Sequence, residues 1–429
     1  MLDCLRELEQ HVECRRLECE LEQQPDELEQ QCWFPGGLRL FPQTSNEDSG
    51  ATGIYYPALG EINLGPLFGR IKPKTRDTGT KMKRYGNLFE KTFSMDNLYL
   101  AYLDARRGKR ARRACFEFEK HLGENLQTLY TTLHNGTYVT DPYFQFAVYE
   151  PKRRIIHAPT FRDVVVQHAI YRVIYDIFDR SFINTSFACR IGYGTHKAAK
   201  CTRSAMQKCS GEDYILKMDI RKYFYSINRI VLRRLLTRKI KDERMVDIMM
   251  TFADMETPLG IPIGNLLSQI YALIYLNPLD HFIKRILKIK HYVRYVDDFI
   301  LIGLARETCL LLRNVIVNFL RELFGLELSK STISKVRKGV NFCGYRTWRS
   351  LTFIRKYSLY KFRRVVKAGK QESINSLLGH AKYTNSLPYM LNILKEEMIH
   401  GTNLQIPKGF RQIYYALPCR AGLQPAWHS

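Results

Sequence analysis

Two short segments place acidic side chains where they could bind divalent metal ions. Tyr214-Ile-Leu-Lys-Met predicts a buried strand, with Asp219 at its end. In Tyr292-Val-Arg-Tyr-Val-Asp-Asp-Phe-Ile-Leu-Ile, two apolar runs flank Asp297 and Asp298, which predicts a β-hairpin with both carboxylates at a tight turn. Charge inside an apolar element is costly unless it is compensated. Two metal ions would compensate it, and they could activate a hydroxyl nucleophile and stabilise a leaving phosphate.

An isolated Asp-Asp pair is more often only a polar hairpin turn. We favour metal binding because a third aspartate precedes the pair and because a third segment, Pro258-Leu-Gly-Ile-Pro-Ile-Gly-Asn-Leu-Leu-Ser-Gln, lies between them. There a turn containing Gly and Pro runs into a long apolar helix. Gly264 would let the backbone approach a nucleotide or template base, and Ser268 and Gln269 could form hydrogen bonds to it. The alternative for this segment alone is an ordinary helix start.

The elements that must position these residues can be outlined from periodicity. Amphipathic helices are predicted from Asn97 and from Cys115, with a basic segment between them. Residues 144–149 and 154–158 alternate like two strands of a hairpin, and a helix is predicted over 161–178. Strands and helices then alternate as far as Trp348, before a basic, helical tail. The class predicted is α+β.

The charge points to a polyanionic partner. The chain of 429 residues carries a net charge of +24, although residues 1–30 hold ten acidic and three basic side chains. The basic excess is interleaved with 26 Tyr and 23 Phe, a mixture that suits phosphate pairing and base stacking. A membrane surface would also attract such a charge. However, the sequence has neither a long apolar run nor a signal peptide, so we expect an intracellular protein with no membrane partner.

The eleven cysteines are irregularly spaced, and no CxxC pair occurs. A loose group of His11, Cys14, Cys19 and Cys32 could bind a metal ion. The favoured interpretation is reduced cysteines acting as small apolar residues in a reducing compartment. Residues 1–90 are interpreted as an extension of unknown role, partly disordered. Its acidic start could bind a partner, lie on a basic groove as an autoinhibitory segment, or be a solvated extension.

Taken in order, the three segments resemble the reverse transcriptase family. Tyr295-Val-Asp-Asp is similar to the family's Tyr-x-Asp-Asp box, and Asp219 is similar to its upstream catalytic aspartate. The resemblance implies a right-hand polymerase fold with fingers and palm over 91–350 and a helical thumb and tail over 351–429. It implies two Mg²⁺ ions, replaceable by Mn²⁺, held by Asp219, Ile220, Asp297 and Asp298.

The resemblance also assigns nucleotide-binding residues. Phe224, five residues after Asp219, is similar to the aromatic steric gate that excludes a ribose 2′-hydroxyl. Lys330 falls where the family has a lysine near the leaving pyrophosphate, and Gly339-Val-Asn-Phe-Cys-Gly-Tyr resembles the primer-grip hairpin. Basic side chains in the fingers turn would neutralise triphosphate charge; these are Lys152, Arg153 and Arg154. A solvated basic turn is the alternative for those three.

Within the family, the motifs resemble the reverse transcriptases of diversity-generating retroelements. Where other reverse transcriptases have Gln-Gly and then Ser-Pro, this chain has Ile263-Gly and then Ser268-Gln. That group copies a template-repeat RNA into cDNA with errors at adenine. The resemblance implies primer and dNTP substrates, a small basic helical accessory protein, and a cytoplasmic location in a bacterial or phage-encoded system. The alternatives are a retron or group II intron reverse transcriptase, or a catalytically silent RNA-binding protein on the same fold.

Overall fold

The computed structural model describes residues 83–149, 153–399 and 404–416. The acidic start of the chain, the group of His11, Cys14, Cys19 and Cys32, and Lys152 lie outside the described residues. The larger compact unit contains the described residues of 81–309 and 319–429, and residues 310–318 are the described part of a smaller unit.

Helices make up most of the fold. Their bounds are α1 Leu88–Thr92, α2 Met95–Ala105, α3 Arg113–Lys120, α4 Leu122–His134, α5 Phe161–Asp179, α6 Thr195–Gln207, α7 Tyr223–Ser226, α8 Arg229–Thr237, α9 Glu243–Thr251, α10 Leu266–His281, α11 Arg306–Phe324, α12 Lys356–Lys367, α13 Gln371–Ala381, α14 Leu387–Ile399 and α15 Arg411–Ala416. A π-helical turn, Phe282–Ile286, continues α10.

Three antiparallel sheets accompany these helices. Their strands are β1 Phe144–Val148, β2 Arg154–Ala158, β3 Tyr214–Ile220, β4 His291–Tyr295, β5 Asp298–Leu304, β6 Leu328–Lys335, β7 Val340–Phe342, β8 Tyr345–Thr347 and β9 Thr352–Ile354. β1 pairs with β2, the order of the central sheet is β4-β5-β3-β6, and β7, β8 and β9 form a third sheet. The predicted α+β class is confirmed. The hairpin predicted at 144–158 and the helix predicted from residue 161 are present.

The central sheet is stabilised by apolar side chains from β3, β4 and β5. Ile215, Val293 and Ile300 pack in one cluster with Met206 of α6 and Phe342 of β7. A second cluster fills the space among the C-terminal helices and includes Phe362, Leu378, Leu391 and Tyr345. Since burial of apolar surface is the main favourable contribution to folding, the first cluster stabilises the central strands that carry the site described below.

The predicted domain boundaries fall within elements of the structure. Helix α1 lies across residue 90, and β7 to β9 lie on both sides of residue 350. Leu88 and Phe89 of α1 are buried. The division into extension, fingers with palm, and thumb stays a prediction. Among the described helices, none is long and apolar enough to cross a membrane.

Candidate active site

Strand pairing brings the three predicted aspartates together. Asp219 of β3 lies directly opposite Asp298 of β5 in the antiparallel register. Residues paired in this way have Cα atoms roughly 4.5–5.5 Å apart and side chains on the same face. Asp297 precedes Asp298 in the turn that joins β4 to β5, and its carbonyl oxygen accepts a hydrogen bond from the Ile220 amide at 3.2 Å. Asp219 and the adjacent pair Asp297-Asp298 therefore lie together at the ends of the two inner strands of the central sheet.

The turn between β4 and β5 has only two residues, because Tyr295 pairs with Asp298. Val296, the first of the two, has φ of 56°. A positive φ is rare for a β-branched residue and costs about 1–3 kcal/mol. It belongs to the tight turns that match the twist of antiparallel strands. This strained turn is what places Asp297 next to Asp219.

Burial, and then repulsion between the carboxylates, raises the pKa values of two of the carboxyl groups. Burial, and next the charge of Asp219, raise the pKa of Asp297 to about 6, while Arg154 opposes the rise. Burial also raises the pKa of Asp298, and Lys217 opposes this shift. Carboxylates that repel one another in a partly buried site would gain from a bound cation.

Two polar partners of the aspartates were not predicted from the sequence. The Lys217 ammonium lies 2.5 Å from Oδ2 of Asp298 and also donates to the Asn341 carbonyl at 2.9 Å. The Ser329 hydroxyl donates to Oδ2 of Asp219. Lys217 could have been found, because it lies two residues before Asp219 on one strand and so faces the same side of the sheet.

The carboxylate set fits a divalent cation in its chemistry. Asp298 Oδ1 is buried and has no hydrogen-bond partner among the described residues. The negative charges of Asp219 and Asp297 lie close enough to interact with Asp298, and carboxylate oxygens are the ligands that Mg²⁺ prefers. No group of three His, Cys, Asp or Glu side chains in the described part of the chain forms a ready-made metal cage. Additional ligands would have to come from the Ile220 carbonyl, substrate and water.

Basic residues lie on both sides of the carboxylates. Lys330 of β6 is the partner of Asp219 on the other side of β3, and it is exposed. Arg154, the first residue of β2, is exposed and close enough for its charge to lower the pKa of Asp297. Arg153 is exposed in the same turn. Two of the predicted phosphate-binding residues, Arg154 and Lys330, are therefore placed around the carboxylates.

The loop before α10 is joined to the β1–β2 hairpin. The Ile263 carbonyl accepts a hydrogen bond of 2.7 Å from the His157 amide. Gly264 has φ of +112°, and a Cβ atom added there would lie 2.7 Å from Cγ2 of Ile156 and 3.0 Å from the His157 carbonyl oxygen. The close approach that requires glycine is thus an approach to strand β2. The prediction had assigned that approach to a nucleotide or template base.

Ser268 and Gln269, both predicted to form hydrogen bonds to a nucleotide or template base, differ in exposure. Gln269 is exposed, whereas Ser268 is 1% exposed and its hydroxyl has no partner among the described residues. The reason is helical geometry, since consecutive residues of an α-helix point about 100° apart. Of the two, only Gln269 is accessible to a substrate in this structure.

Phe224 follows β3 in the short helix α7 and is partly exposed. Its carbonyl accepts a hydrogen bond of 2.9 Å from the Ile261 amide. Gly260 has φ of +100°, and a Cβ added there would lie 3.1 Å from the Tyr225 Cα. The loop before α10 and the segment carrying the predicted steric gate are therefore in direct backbone contact.

Beside β7 to β9, a cavity of about 450 Å³ has a basic and aromatic lining. Asn341, Arg346, Trp348, Arg355 and Tyr357 contribute to it. The Arg346 guanidinium lies over the Trp348 ring, 5.0 Å from its centroid. Such a lining suits phosphates and stacked bases.

Comparison with known families agrees with this geometry. The model for reverse transcriptase (RNA-dependent DNA polymerase) matches residues 150–347, which include strand β2, the central sheet, and strands β7 and β8. This part of the chain is a reverse transcriptase domain. It has the right-hand polymerase fold.

Several curated proteins are similar to the reverse transcriptase domain. The group II intron-encoded protein LtrA of Lactococcus lactis subsp. cremoris is 27% identical over 172 residues, which are 37% of this chain and 28% of LtrA. Protein YkfC of Escherichia coli (strain K12) is 26% identical over 312 residues, 59% of this chain and 77% of YkfC. The chain therefore spans little more than a quarter of the length of LtrA.

Among solved structures, telomerase from Candida albicans in complex with a fragment of telomeric RNA is similar at a TM-score of 0.38 and 14% identity. The match covers 65% of this chain and 64% of that one.

Proposed function

We propose that this protein is an RNA-directed DNA polymerase that copies a template-repeat RNA into cDNA, with errors at adenine. The observation that carries the polymerase assignment is the antiparallel pairing of Asp219 with Asp298, with Asp297 in the adjoining turn. Asp219, Asp297, Asp298 and the Ile220 carbonyl would hold divalent ions. When bound, these ions lower the pKa of a primer 3′-hydroxyl and stabilise the leaving pyrophosphate.

The chain's own residues would orient the substrates. Arg154 and Lys330, on opposite sides of the carboxylates, would pair with triphosphate oxygens and neutralise charge as it develops. Phe224 would contact the deoxyribose and exclude a 2′-hydroxyl. The basic and aromatic cavity beside β7 to β9 would contact the primer strand. The β1–β2 hairpin exposes Phe144, which is 71% accessible and suited to stacking on a template base.

The diversity-generating assignment is supported by Ile263-Gly and Ser268-Gln, where most reverse transcriptases have Gln-Gly and Ser-Pro. A glutamine at position 263 could form a hydrogen bond near the nascent base pair, and isoleucine cannot. Losing one such bond reduces discrimination by about 1–3 kcal/mol. A template-repeat RNA and a small basic helical accessory protein are the partners that this assignment implies.

A group II intron type of reverse transcriptase is the second candidate, and the similarity to LtrA favours it. The two candidates differ in template. A diversity-generating enzyme would copy a repeat RNA whose genomic partner differs from it at adenines. An intron type would copy the intron RNA that encodes it.

Primer extension on the enzyme's own repeat RNA, with and without the accessory protein, tests the proposal. We expect cDNA from the wild type and none from Asp298→Asn, while both bind the RNA equally. Asp247→Asn is the matched control, since Asp247 is an exposed carboxylate paired with Arg233 at 2.6 Å. If Asp298→Asn made as much cDNA as the control, the polymerase assignment would be wrong. If the wild type bound RNA but made no cDNA, a silent RNA-binding role would replace it.

The subtype has its own test. Sequencing of cDNA from Ile263→Gln should give fewer errors at template adenines than the wild type, and Ile263→Leu, which also lacks a hydrogen-bonding side chain, should give the wild-type error rate. Unchanged adenine errors in Ile263→Gln would remove the physical basis proposed for mutagenesis.

A further inference from the structure

A buried ion pair lies directly beneath the turn that carries Asp297. Arg294 of β4 and Asp280 of α10 are both 0% exposed. The guanidinium donates from Nε to Asp280 Oδ1 at 2.7 Å and from Nη2 to Oδ2 at 2.6 Å. The Tyr292 hydroxyl also donates to Oδ1, at 2.7 Å. This network does not contact the carboxylates of the candidate active site directly.

The remaining nitrogen of Arg294 links this network to the site. Nη1 donates to the carbonyl oxygen of Val296 at 2.9 Å. The Val296 carbonyl belongs to the peptide group that precedes Asp297. The carbonyl of Asp297 belongs to the next peptide group, and it accepts a hydrogen bond from the Ile220 amide at 3.2 Å. Both peptide groups next to Asp297 are therefore fixed by hydrogen bonds from outside the turn.

The conformation of this turn needs hydrogen bonds from outside it for two physical reasons. Val296 has φ of 56°, which is unfavourable for a β-branched side chain. Asp297 is also held near Asp219, whose negative charge repels it. Both effects favour a relaxed turn that would carry Asp297 away from Asp219, and a strained arrangement persists only when its surroundings determine it.

Stability alone gives a poor account of the ion pair. A buried Arg–Asp pair replaced by apolar residues of similar volume is often neutral or stabilising, because desolvation offsets the attraction. What apolar residues cannot replace is the donor to the Val296 carbonyl. Guanidinium suits the task, since its planar fork can bind a carboxylate on one side and a carbonyl on the other.

We propose that Arg294, oriented by Asp280 and Tyr292, is a positioning residue that holds Asp297 in the geometry required for metal binding. This inference rests on the proposed function. Positioning residues of this kind do not bind the metal ion themselves; they orient the side chains that do. Their removal typically weakens metal binding by roughly 10–100-fold.

The test compares variants that separate positioning from stability. Arg294→Lys keeps the charge but loses the fork. A triple variant, Tyr292→Phe with Asp280→Leu and Arg294→Met, replaces the three side chains of the network with apolar ones, so that the Val296 carbonyl loses its donor but no charged side chain is left buried without its partner. The control is Arg190→Lys, because Arg190 is 3% exposed and binds Asp179 at 2.7 Å, yet has no hydrogen bond to the β4–β5 turn. Melting temperature, template–primer affinity and Mn²⁺ binding, followed by electron paramagnetic resonance in the template–primer–dNTP complex, are measured for each.

We expect roughly tenfold or greater weakening of Mn²⁺ binding in both Arg294 variants, with template–primer affinity unchanged. The triple variant should keep a melting temperature near that of the wild type, and Arg190→Lys should lose stability without losing Mn²⁺ affinity. Wild-type Mn²⁺ affinity in the triple variant would overturn the positioning role, whatever Mn²⁺ affinity Arg294→Lys has. A wild type that neither binds Mn²⁺ nor extends a primer would instead contradict the proposed function.

Discussion

The ammonium group of Lys217 lies 2.5 Å from Oδ2 of Asp298, and the two side chains are 18% and 19% exposed. The pair lies beside the carboxylates of Asp219 and Asp297 in the central sheet. Lys217 is thus a positive charge that the chain itself supplies to its acidic cluster, and it opposes the rise that burial causes in the pKa of Asp298.

Replacing this lysine should alter the pH dependence of the reaction. In Lys217→Met, burial and the charge of Asp219 would be opposed by Arg355 but no longer by Lys217, so the pKa of Asp298 should rise further. The acid limb of the rate profile should move to higher pH by roughly one unit. Single-turnover primer extension between pH 5 and 9 measures it. Lys335→Met is the control, because Lys335 pairs with Glu212 at 2.5 Å near the other end of the same sheet. Equal profiles for the two variants would contradict the prediction.

Asp297 should destabilise the metal-free protein at neutral pH. Its folded-state pKa of about 6 lies above the usual value of a carboxyl group. The proton is therefore bound more tightly in the folded state, so the stability gained from it is complete below about pH 4 and lost as the pH rises through 6. Asp297→Asn should raise the free energy of unfolding at pH 7.5 by about 1–3 kcal/mol while abolishing activity.

Urea unfolding in chelator at pH 4 and pH 7.5 measures this difference, which should be absent at the lower pH. Adding Mg²⁺ should stabilise the wild type and leave Asp297→Asn unchanged. Asp247→Asn serves as the control, with no stabilisation at either pH. A wild type at least as stable as Asp297→Asn in chelator at pH 7.5 would show that the repulsion is relieved within the protein.

The sequence predicted the acidic cluster because local rules determine most of it. Two apolar runs around Asp297-Asp298 define a hairpin, and an apolar run before Asp219 defines a central strand. Partners that depend on packing between distant elements could not be predicted. Asp280 binds Arg294 only because the end of α10 packs under β4, although an arginine within the apolar run Tyr292-Val-Arg-Tyr was itself a signal that a buried partner exists.

The third segment also depends on packing between distant elements. Ser268 and Gln269 are adjacent in sequence, and the helix separates their side chains into buried and exposed positions. Gly264 was correctly recognised as a site of close approach. The identity of its neighbour, strand β2, depends on contacts more than a hundred residues away in sequence, which periodicity does not report.

Phe224 should control the choice of sugar. In Phe224→Ala, the space beside the deoxyribose would admit a 2′-hydroxyl, and ribonucleotide incorporation should rise roughly tenfold or more relative to dNTP. The ratio of kcat/KM for CTP and dCTP in primer extension measures it. Phe144→Ala is the control, because it removes an exposed aromatic ring from the β1–β2 hairpin instead. An unchanged ratio in Phe224→Ala would assign the gate to another residue.

Gly264→Ala should uncouple the β1–β2 hairpin from the central sheet. The added Cβ would lie 2.7 Å from Ile156 and 3.0 Å from the His157 carbonyl, on a backbone with φ of +112°. To avoid this collision, β2 has to move. The movement would break the 2.7 Å hydrogen bond from the His157 amide to the Ile263 carbonyl and displace Arg154 from the carboxylates. We therefore expect KM for dNTP to rise roughly tenfold, together with a loss of stability.

Gly136→Ala separates the effect of the collision with β2 from the effect of the positive φ. Gly136 has φ of +72° with nothing within 4 Å of an added Cβ, so alanine there suffers the unfavourable backbone conformation without a collision. Both variants should lose about 1 kcal/mol or more of stability from the positive φ, measured by urea unfolding. Only Gly264→Ala should change KM for dNTP in steady-state primer extension. An equal KM in the two variants would mean that the contact between the loop and β2 does not position Arg154, since the collision would then have no effect on the substrate.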